Sequence, residues 1–220
     1  MAYRVLIPEK IAKDGVEFLM QCGYEVKDGR GLDKQKLIED LQDCDAVIVR
    51  VCVIDDEVFD RCPRLKVVAG HGVGVDNIDL ASAKRHGCRV TNTPTANSVA
   101  VAEHAIMLML ALAKNLFVVT KGYTDGEYDK VRATVYAREL FESTLGLLGL
   151  GKIGSRVATR ALGLGMRVLA YDPYIQKENI PDGVILASRE EVFSQADYLS
   201  LHMPVTPETK KSVGIREFEM

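Results

Sequence analysis

Three glycines and one acid are the residues of this chain whose types and spacing best fit a binding site. Gly149, Gly151 and Gly154 form the pattern G-x-G-x-x-G, and Asp172 follows Gly154 by 18 residues. Such a turn lets backbone N–H groups approach a pyrophosphate, while the start of the following helix attracts negative charge. An acid at this distance can accept hydrogen bonds from ribose hydroxyls. The spacing therefore predicts dinucleotide binding, with a plain glycine-rich turn as the alternative.

The elements around this motif have the order that dinucleotide binding requires. An apolar run at 145–148 predicts a strand, 155–164 has helical spacing, and a second apolar run at 167–171 ends directly before Asp172. Strand, glycine turn, helix and strand together form a βαβ unit. The carboxylate of Asp172 would repel a 2′-phosphate, and residues 173–174 bring no compensating cation. We therefore expect NAD as the cofactor rather than NADP.

Strands and helices alternate through the first half of the chain. Strands are predicted at 4–8, 24–26, 46–49, 65–69 and 89–91, and helices at 11–21, 33–41, 55–62 and 80–86. This alternation predicts a doubly wound α/β domain with a parallel sheet. The turn-rich segment 92–98 predicts a boundary between one domain at 1–97 and a second at 98–220.

The second half of the chain begins with a helix at 99–114 that is apolar almost all round. Such a helix is buried in a core or at a subunit interface, and Glu103 with His104 is expected to be a satisfied polar pair at its edge. The segment 115–140 is expected to be a helical or extended arm. From Thr144 onward four strands are predicted, whereas a complete dinucleotide-binding sheet has six. We therefore expect the 220 residues to be part of a longer chain.

A second glycine-rich segment, 70–79, follows the predicted fourth strand. Three glycines within five residues stand just past the carboxyl end of that strand, where ligands bind in open α/β sheets. Successive N–H groups in such a loop could hold a carboxylate. A flexible connection between strand and helix is the alternative.

The composition narrows the classes of function. The chain is 47% apolar and 27% charged with a net charge of −3, so it implies neither a nucleic-acid nor an anionic-membrane partner. Its longest apolar run, 105–113, is far shorter than the ~20 residues of a membrane span. Five scattered cysteines without a C-x-x-C pair predict reduced thiols and a cytoplasmic protein. No metal site is visible among the cysteines and histidines.

Five motifs together resemble those of the D-isomer-specific 2-hydroxyacid dehydrogenases. They read HGVGVDNIDL at 71–80, NSVAVAEHAIMLMLALAKN at 97–115, TLGLLGLGKIGSRVA at 144–158, YDPY at 171–174 and LHMPVTPET at 201–209. Within the family, the chain looks like the members that act on 3-phosphoglycerate. The resemblance implies an α/β subunit with two doubly wound lobes. One is a flavodoxin-like substrate domain and the other a Rossmann NAD-binding domain, here incomplete at its C-terminus. It also implies a homodimer formed through the helix at 99–114.

The resemblance implies roles for individual residues. Cofactor contacts would come from Gly149, Gly151, Lys152, Ile153, Gly154, Asp172, Val73, His202, Met203, Pro204 and Thr209. The substrate acid would meet Arg50, His71, Val73 and Gly74, with the backbone of the last two binding its carboxylate. No metal is needed for this chemistry.

The implied activity is hydride transfer between nicotinamide and a small D-2-hydroxy or 2-oxo acid. The family's catalytic arginine, glutamate and histidine align beyond Met220, so we assign no catalytic residue and expect residues 1–220 alone to be inactive. The alternative is an NAD-binding regulatory protein without turnover, as in the C-terminal-binding-protein corepressors, which share the fold.

Overall fold

The first compact unit of the chain is built on a parallel sheet. The structure, a computed structural model, describes residues 2–220 and divides at Asn97, with Ser98–Met220 as the second unit. Among the described residues, the strands of the first unit are β1 (Arg4–Ile7), β2 (Glu25–Asp28), β3 (Ala46–Val49), β4 (Val67–Gly70) and β5 (Arg89–Thr91). Their order is β2-β1-β3-β4-β5, and every pairing is parallel. This is the flavodoxin-like order, so the predicted fold of this lobe is confirmed.

Helices connect these strands. They are α1 (Lys13–Gln21), α2 (Lys34–Leu41), α3 (Asp56–Arg61) and α4 (Leu80–Arg85). The last three begin after an aspartate whose side chain accepts a hydrogen bond from the backbone N–H three residues further on. α1 begins two residues later than expected, and its N-cap, Ala12, makes no side-chain hydrogen bond. The core between sheet and helices contains Leu6, Ile38, Val47, Phe59 and Val68.

The second unit contains the dinucleotide-binding type of sheet. Its strands within the described chain are β6 (Thr144–Leu148), β7 (Arg167–Tyr171), β8 (Val184–Leu186) and β9 (Tyr198–Leu201). They lie in the order β8-β7-β6-β9 and pair in parallel. This order matches the first four strands of the Rossmann sheet, 3-2-1-4. All five residues of β6 are buried, as expected for a central parallel strand.

The helices of the second unit are α5 (Ser98–Ala113), α6 (Leu116–Thr124), α7 (Tyr128–Thr134), α8 (Lys152–Gly163), α9 (Arg189–Gln195) and α10 (Ile215–Phe218), with a 3₁₀ turn at Lys177–Asn179. The predicted start of α8 at residue 155 is wrong by three residues. Gly151 has an extended backbone and acts as the N-cap, so the glycine motif itself forms the first helical turn. The expected arm at 115–140 consists of α6, α7 and an irregular stretch.

The apolar helix α5 is only partly buried within this chain. Ala102, Met109 and Ala113 belong to the core of the second unit, whereas Leu108 and Leu112 are 44% and 69% exposed. Across residues 2–220 no single helix has the length and apolar character of a membrane span. α5 and α6 meet both criteria only as a pair, which is bent by 63°.

Candidate functional site

The turn after β6 requires glycine at its first position. Gly149 has a φ of 92°, and its N–H donates to the Tyr171 carbonyl at 2.9 Å. A Cβ at this position would lie 2.8 Å from the carbonyl carbon of His202. Both the backbone conformation and the lack of space therefore exclude a side chain. The turn lies directly against the segment that follows β9.

The other two glycines of the motif have opposite surroundings. A Cβ at Gly154 would overlap the carbonyl oxygen of Gly149, so the start of α8 packs directly on the turn. A Cβ at Gly151 would meet no atom within 4 Å, because this side of the turn is open. Ser155 fixes the turn by donating its hydroxyl to the Leu150 carbonyl at 2.7 Å.

The open side of the turn carries unused donors. In the part of the chain that the structure describes, the N–H groups of Gly151, Lys152 and Ile153 donate to no protein acceptor. Helix N-termini leave such groups unsatisfied and carry a partial positive charge. The donor set and the absence of a blocking side chain at Gly151 suit a phosphate group.

Asp172 faces this turn from the end of β7. One carboxylate oxygen accepts the N–H of Leu150 at 2.7 Å, and the other accepts the N–H of Tyr174 at 2.9 Å. The two backbone donors fix the orientation of the carboxylate. Asp172 therefore lies next to the glycine turn, as the spacing of the motif predicted.

The segment after β9 packs behind the glycine turn. The N–H of His202 donates to the Leu148 carbonyl at 2.8 Å, and its Nε2 lies 2.9 Å from the Ser200 hydroxyl. Burial lowers the pKa of His202, so the ring is neutral near pH 7. Thr209 donates its hydroxyl to the Pro204 carbonyl at 2.6 Å and thereby closes its own turn.

A second group of site residues lies in the first unit, where β3 and β4 end side by side. Val49 pairs with Gly70, so Arg50 and His71 follow neighbouring strands at the carboxyl edge of the sheet. The N–H of His71 donates to the Val49 carbonyl at 2.7 Å, and the Arg50 guanidinium donates to the Lys10 carbonyl at 3.3 Å.

The glycine-rich loop after β4 is held by its carbonyl groups. Gly72 accepts the N–H of Thr93 at 2.8 Å, and Val73 accepts the side-chain amide of Asn92 at 2.8 Å. Within residues 2–220, the N–H groups of Gly72, Val73 and Gly74 donate to no protein acceptor. The loop is thus anchored by its carbonyl groups and leaves consecutive N–H donors unused, which favours the nest over a flexible connection.

The family model of the D-isomer specific 2-hydroxyacid dehydrogenase catalytic domain matches residues 5–213. The chain belongs to the D-isomer specific 2-hydroxyacid dehydrogenase family. The resemblance indicated by the motifs is therefore confirmed.

Named relatives refine the position of the chain within this dehydrogenase family. It is 42% identical over 211 residues to chloroplastic D-3-phosphoglycerate dehydrogenase 2 of Arabidopsis thaliana, covering 94% of this chain and 33% of that protein. It is 39% identical over 214 residues to D-3-phosphoglycerate dehydrogenase of Methanocaldococcus jannaschii, covering 96% and 40%. The chain thus spans less than half the length of these relatives.

Solved structures of the family superpose closely. The NAD⁺-bound 3-phosphoglycerate dehydrogenase of Entamoeba histolytica matches with a TM-score of 0.82 and 31% identity, covering 100% of this chain and 68% of that one. The match extends over both units of the chain.

The structure brings some of the expected site residues of this family member together within the second unit, and others belong to the first unit. Gly149, Gly154 and His202 lie in contact distance of one another around the turn, and Asp172 joins them through Leu150. The residues expected to meet the substrate acid all belong to the first unit. Val73, which was also expected to line the cofactor site, belongs to that unit as well.

Sequence reasoning missed two residues of the first unit that shape this edge. Glu9 accepts hydrogen bonds from the backbone of Arg50, Val51 and Cys52. Asn77 donates its side-chain amide to the Cys52 carbonyl at 2.6 Å. The signal in the sequence was an acid directly after the first predicted strand.

An exposed group of potential metal ligands, absent from the sequence expectations, is formed by Asp56, Asp60 and His86, whose ligand atoms lie within 4.8 Å of one another. Asp56 already pairs with Arg85 at 2.5 Å, and Asp60 lies 3.2 Å from His86 Nε2. Both carboxylates therefore already have partners within the chain.

Proposed function

We propose that the protein is an NAD-dependent D-2-hydroxyacid dehydrogenase. It transfers a hydride between nicotinamide and C2 of a small D-2-hydroxy or 2-oxo acid. The observation that carries this proposal is the open glycine turn, whose unused donors adjoin a carboxylate fixed by the backbone of Leu150 and Tyr174. The 3-phosphoglycerate pair is the first candidate substrate, because two phosphoglycerate dehydrogenases are 42% and 39% identical to the chain.

The residues around the turn fit a dinucleotide. The donors of Gly151, Lys152 and Ile153 would bind the pyrophosphate, and Gly151 leaves space for its approach. Asp172 would accept the ribose hydroxyls and repel a 2′-phosphate. When bound, NAD supplies the hydride chemistry, and the protein's part is to bind and orient.

The segment after β9 would complete the cofactor site. His202, Met203 and Pro204 would line it beside the turn, and Thr209 would keep their path fixed through its bond to Pro204. In this proposal His202 lines the cofactor site and is not a base, because its Nε2 is hydrogen-bonded to the Ser200 hydroxyl.

The first unit would bind the substrate acid. Consecutive donors at Val73 and Gly74 would hold its carboxylate, and Arg50 would supply a positive charge at the end of the neighbouring strand. His71 flanks the same loop and is exposed.

A second copy of the chain would cover the outer face of α5. Met107, Leu108 and Leu112 expose between 44% and 69% of their surface there, and such apolar surface favours association. We therefore include a homodimer in the proposal. Sedimentation tests it by comparing the unchanged protein with Leu112→Glu, which should dissociate more readily. An unchanged protein that was monomeric at all concentrations would contradict the homodimer.

The test of the activity combines binding and turnover of the natural full-length protein. Binding is followed by the fluorescence of NADH itself. We expect NADH to bind at least roughly tenfold more tightly than NADPH. We also expect loss of nicotinamide absorbance with 3-phosphohydroxypyruvate in a panel of 2-oxo acids.

The outcomes separate the proposal from its alternative. Tight NADH binding without turnover of any 2-oxo acid would favour a regulatory NAD-binding protein. Absence of NADH binding would contradict both functions. Turnover with another 2-oxo acid but not with the phosphorylated one would retain the dehydrogenase and change its substrate.

A further inference from the structure

The segment 50–53 lies at the proposed substrate site, and two of its four side chains are largely exposed. Val51 and Val53 are 64% and 58% exposed, whereas Cys52 turns inward and is 3% exposed. The segment ends at Ile54, which is fully buried. The backbone between β3 and Ile54 is held by the buried Cys52 and by contacts from elsewhere in the unit.

Glu9 provides these contacts from the loop after β1. Its carboxylate accepts the N–H groups of Arg50 at 2.8 Å, Val51 at 2.9 Å and Cys52 at 3.2 Å. Three consecutive N–H groups form a concavity that binds anions. In this protein the anion is the chain's own side chain, and hydrogen bonds to a carboxylate are stronger than neutral ones.

The surroundings of Glu9 and Cys52 favour a charged carboxylate and a neutral thiol. Burial disfavours the charged form of Glu9, but the three backbone donors outweigh burial and hold its pKa below the usual value. Burial together with the neighbouring carboxylate raises the pKa of the Cys52 thiol to about 12. Near neutral pH Glu9 is thus charged and Cys52 is neutral, so a single carboxylate charge faces the three backbone donors.

A second brace comes from the loop after β4. The side-chain amide of Asn77 donates to the Cys52 carbonyl at 2.6 Å, and the N–H of Ile54 donates to the Asn77 carbonyl at 2.8 Å. The 50–53 segment is therefore held from both sides, by Glu9 through its N–H groups and by Asn77 through its carbonyl.

We propose that Glu9 is a positioning residue for the substrate acid, acting through Arg50. By occupying the donors of the segment, it holds Arg50 at the carboxyl edge of the sheet beside His71. The guanidinium shares this anchor, because it donates to the carbonyl of Lys10, the neighbour of Glu9. The inference deepens the proposed function and rests on it.

The experiment compares Glu9→Gln and Glu9→Ala with Glu17→Gln as the control. Glu17 forms an exposed pair with Lys13 on α1 and carries the same charge. We expect Glu9→Gln to raise the KM for the 2-oxo acid roughly tenfold, the effect of losing one charge-assisted interaction. Since cofactor contacts are unaffected, kcat and the KM for NADH should change less than about twofold. Glu9→Ala should have a larger effect, with glutamine as the partial rescue.

Hydrogen exchange provides a readout that does not need activity. The backbone amides of residues 50–52 should exchange about tenfold faster in Glu9→Ala. The amides of β3 in that variant, and the amides of residues 50–52 in Glu17→Gln, should exchange at an unchanged rate. Unchanged exchange at 50–52 would overturn the inference whatever the activity.

Two further outcomes keep the inference apart from the proposed function. Equal losses with NADH and with the 2-oxo acid would indicate a merely structural role and overturn the positioning role. If the unchanged protein oxidised no NADH with any 2-oxo acid, the proposed function would fail instead, and exchange would still decide whether Glu9 holds the segment.

Discussion

Each unit of the chain places consecutive N–H donors just past a parallel strand, and the set at 50–52 differs from the set at 151–153 in what accepts from it. In the first unit, the donors of 50–52 are satisfied by Glu9. In the second, the donors of 151–153 have no protein acceptor among the described residues. The nearby acid, Asp172, accepts only the preceding N–H, that of Leu150.

The difference shows that a strand end with aligned donors does not by itself indicate a ligand site. Where the chain supplies an acid of suitable reach, the donors stabilise a loop. In the second unit, Asp172 accepts the N–H of Leu150 but none of those at 151–153, so these donors stay available to a ligand. The identity of the acceptor decides between the two roles, and each prediction below changes one acceptor or one donor set.

The largest effect is expected at the available donors. Gly154→Ala would place its Cβ on the carbonyl oxygen of Gly149, so α8 must move away from the turn. We expect the Kd for NADH to rise roughly a hundredfold and the free energy of unfolding to fall by about 1–3 kcal/mol. Calorimetric titration and thermal unfolding measure the two effects.

Two alanine controls sharpen this result. Gly151→Ala meets no protein atom, so it should weaken NADH binding, with a loss of stability of no more than about 1 kcal/mol because alanine is a poorer N-cap than glycine. Gly163→Ala, at the other end of α8 and also without a neighbour, should leave binding unchanged and stabilise the helix by about 0.5 kcal/mol. If Gly154→Ala bound NADH as tightly as the unchanged protein, the N–H donors of 151–153 would not belong to the cofactor site.

An intermediate effect is expected from the acid beside the turn. Asp172→Ala removes the acceptor of the ribose hydroxyls and the charge that repels a 2′-phosphate. We expect the Kd for NADH to rise roughly tenfold while that for NADPH stays similar or falls. Asp182→Ala, an exposed acid in the loop before β8, is the control. An unchanged ratio of the two affinities would count against the ribose role.

The smallest effect concerns acid stability at the filled donors. Because the pKa of Glu9 is below its usual 4.5 in the folded chain, the unfolded chain binds its proton first as pH falls. The contribution of Glu9 is therefore complete above about pH 4.5 and is lost as the pH falls through the lower folded value. The difference in unfolding free energy between unchanged protein and Glu9→Gln should shrink over that range.

Denaturant unfolding at a series of pH values measures this difference. Glu17→Gln, which removes an exposed pair with Lys13, should differ from the unchanged protein by no more than about 0.5 kcal/mol throughout. A gap for Glu9→Gln that stayed constant down to low pH would show that the carboxylate charge does not contribute.

The sheet and its order could be anticipated because buried parallel strands are continuous apolar runs. The run at 145–148 became β6, extended by Thr144 alone. The start of α8 could not be anticipated in the same way. Glycine has no side chain to indicate a face, so a helix whose first turn contains Gly154 shows its apolar period only further along.

The cofactor half of the candidate site was visible because its residues are close in sequence. Gly149 and Asp172 are joined by one βαβ unit of fixed geometry. The hold of Glu9 on Arg50 was not visible, since 41 residues separate them and only the pairing of β1 with β3 brings their loops together. Contacts of this kind depend on register, which a single sequence does not reveal.

The five cysteines of the chain differ in a way that is useful for experiments. Cys22 ends α1 and is exposed, whereas the other four are buried. Burial raises the pKa of all four, to about 11 for Cys44 and about 12 for Cys52, so they contain very little reactive thiolate. Within residues 2–220, a maleimide dye would therefore attach at Cys22. Since α1 leads into the start of β2, that label would sit at the amino edge of the sheet and leave the loops at the carboxyl edge unmodified.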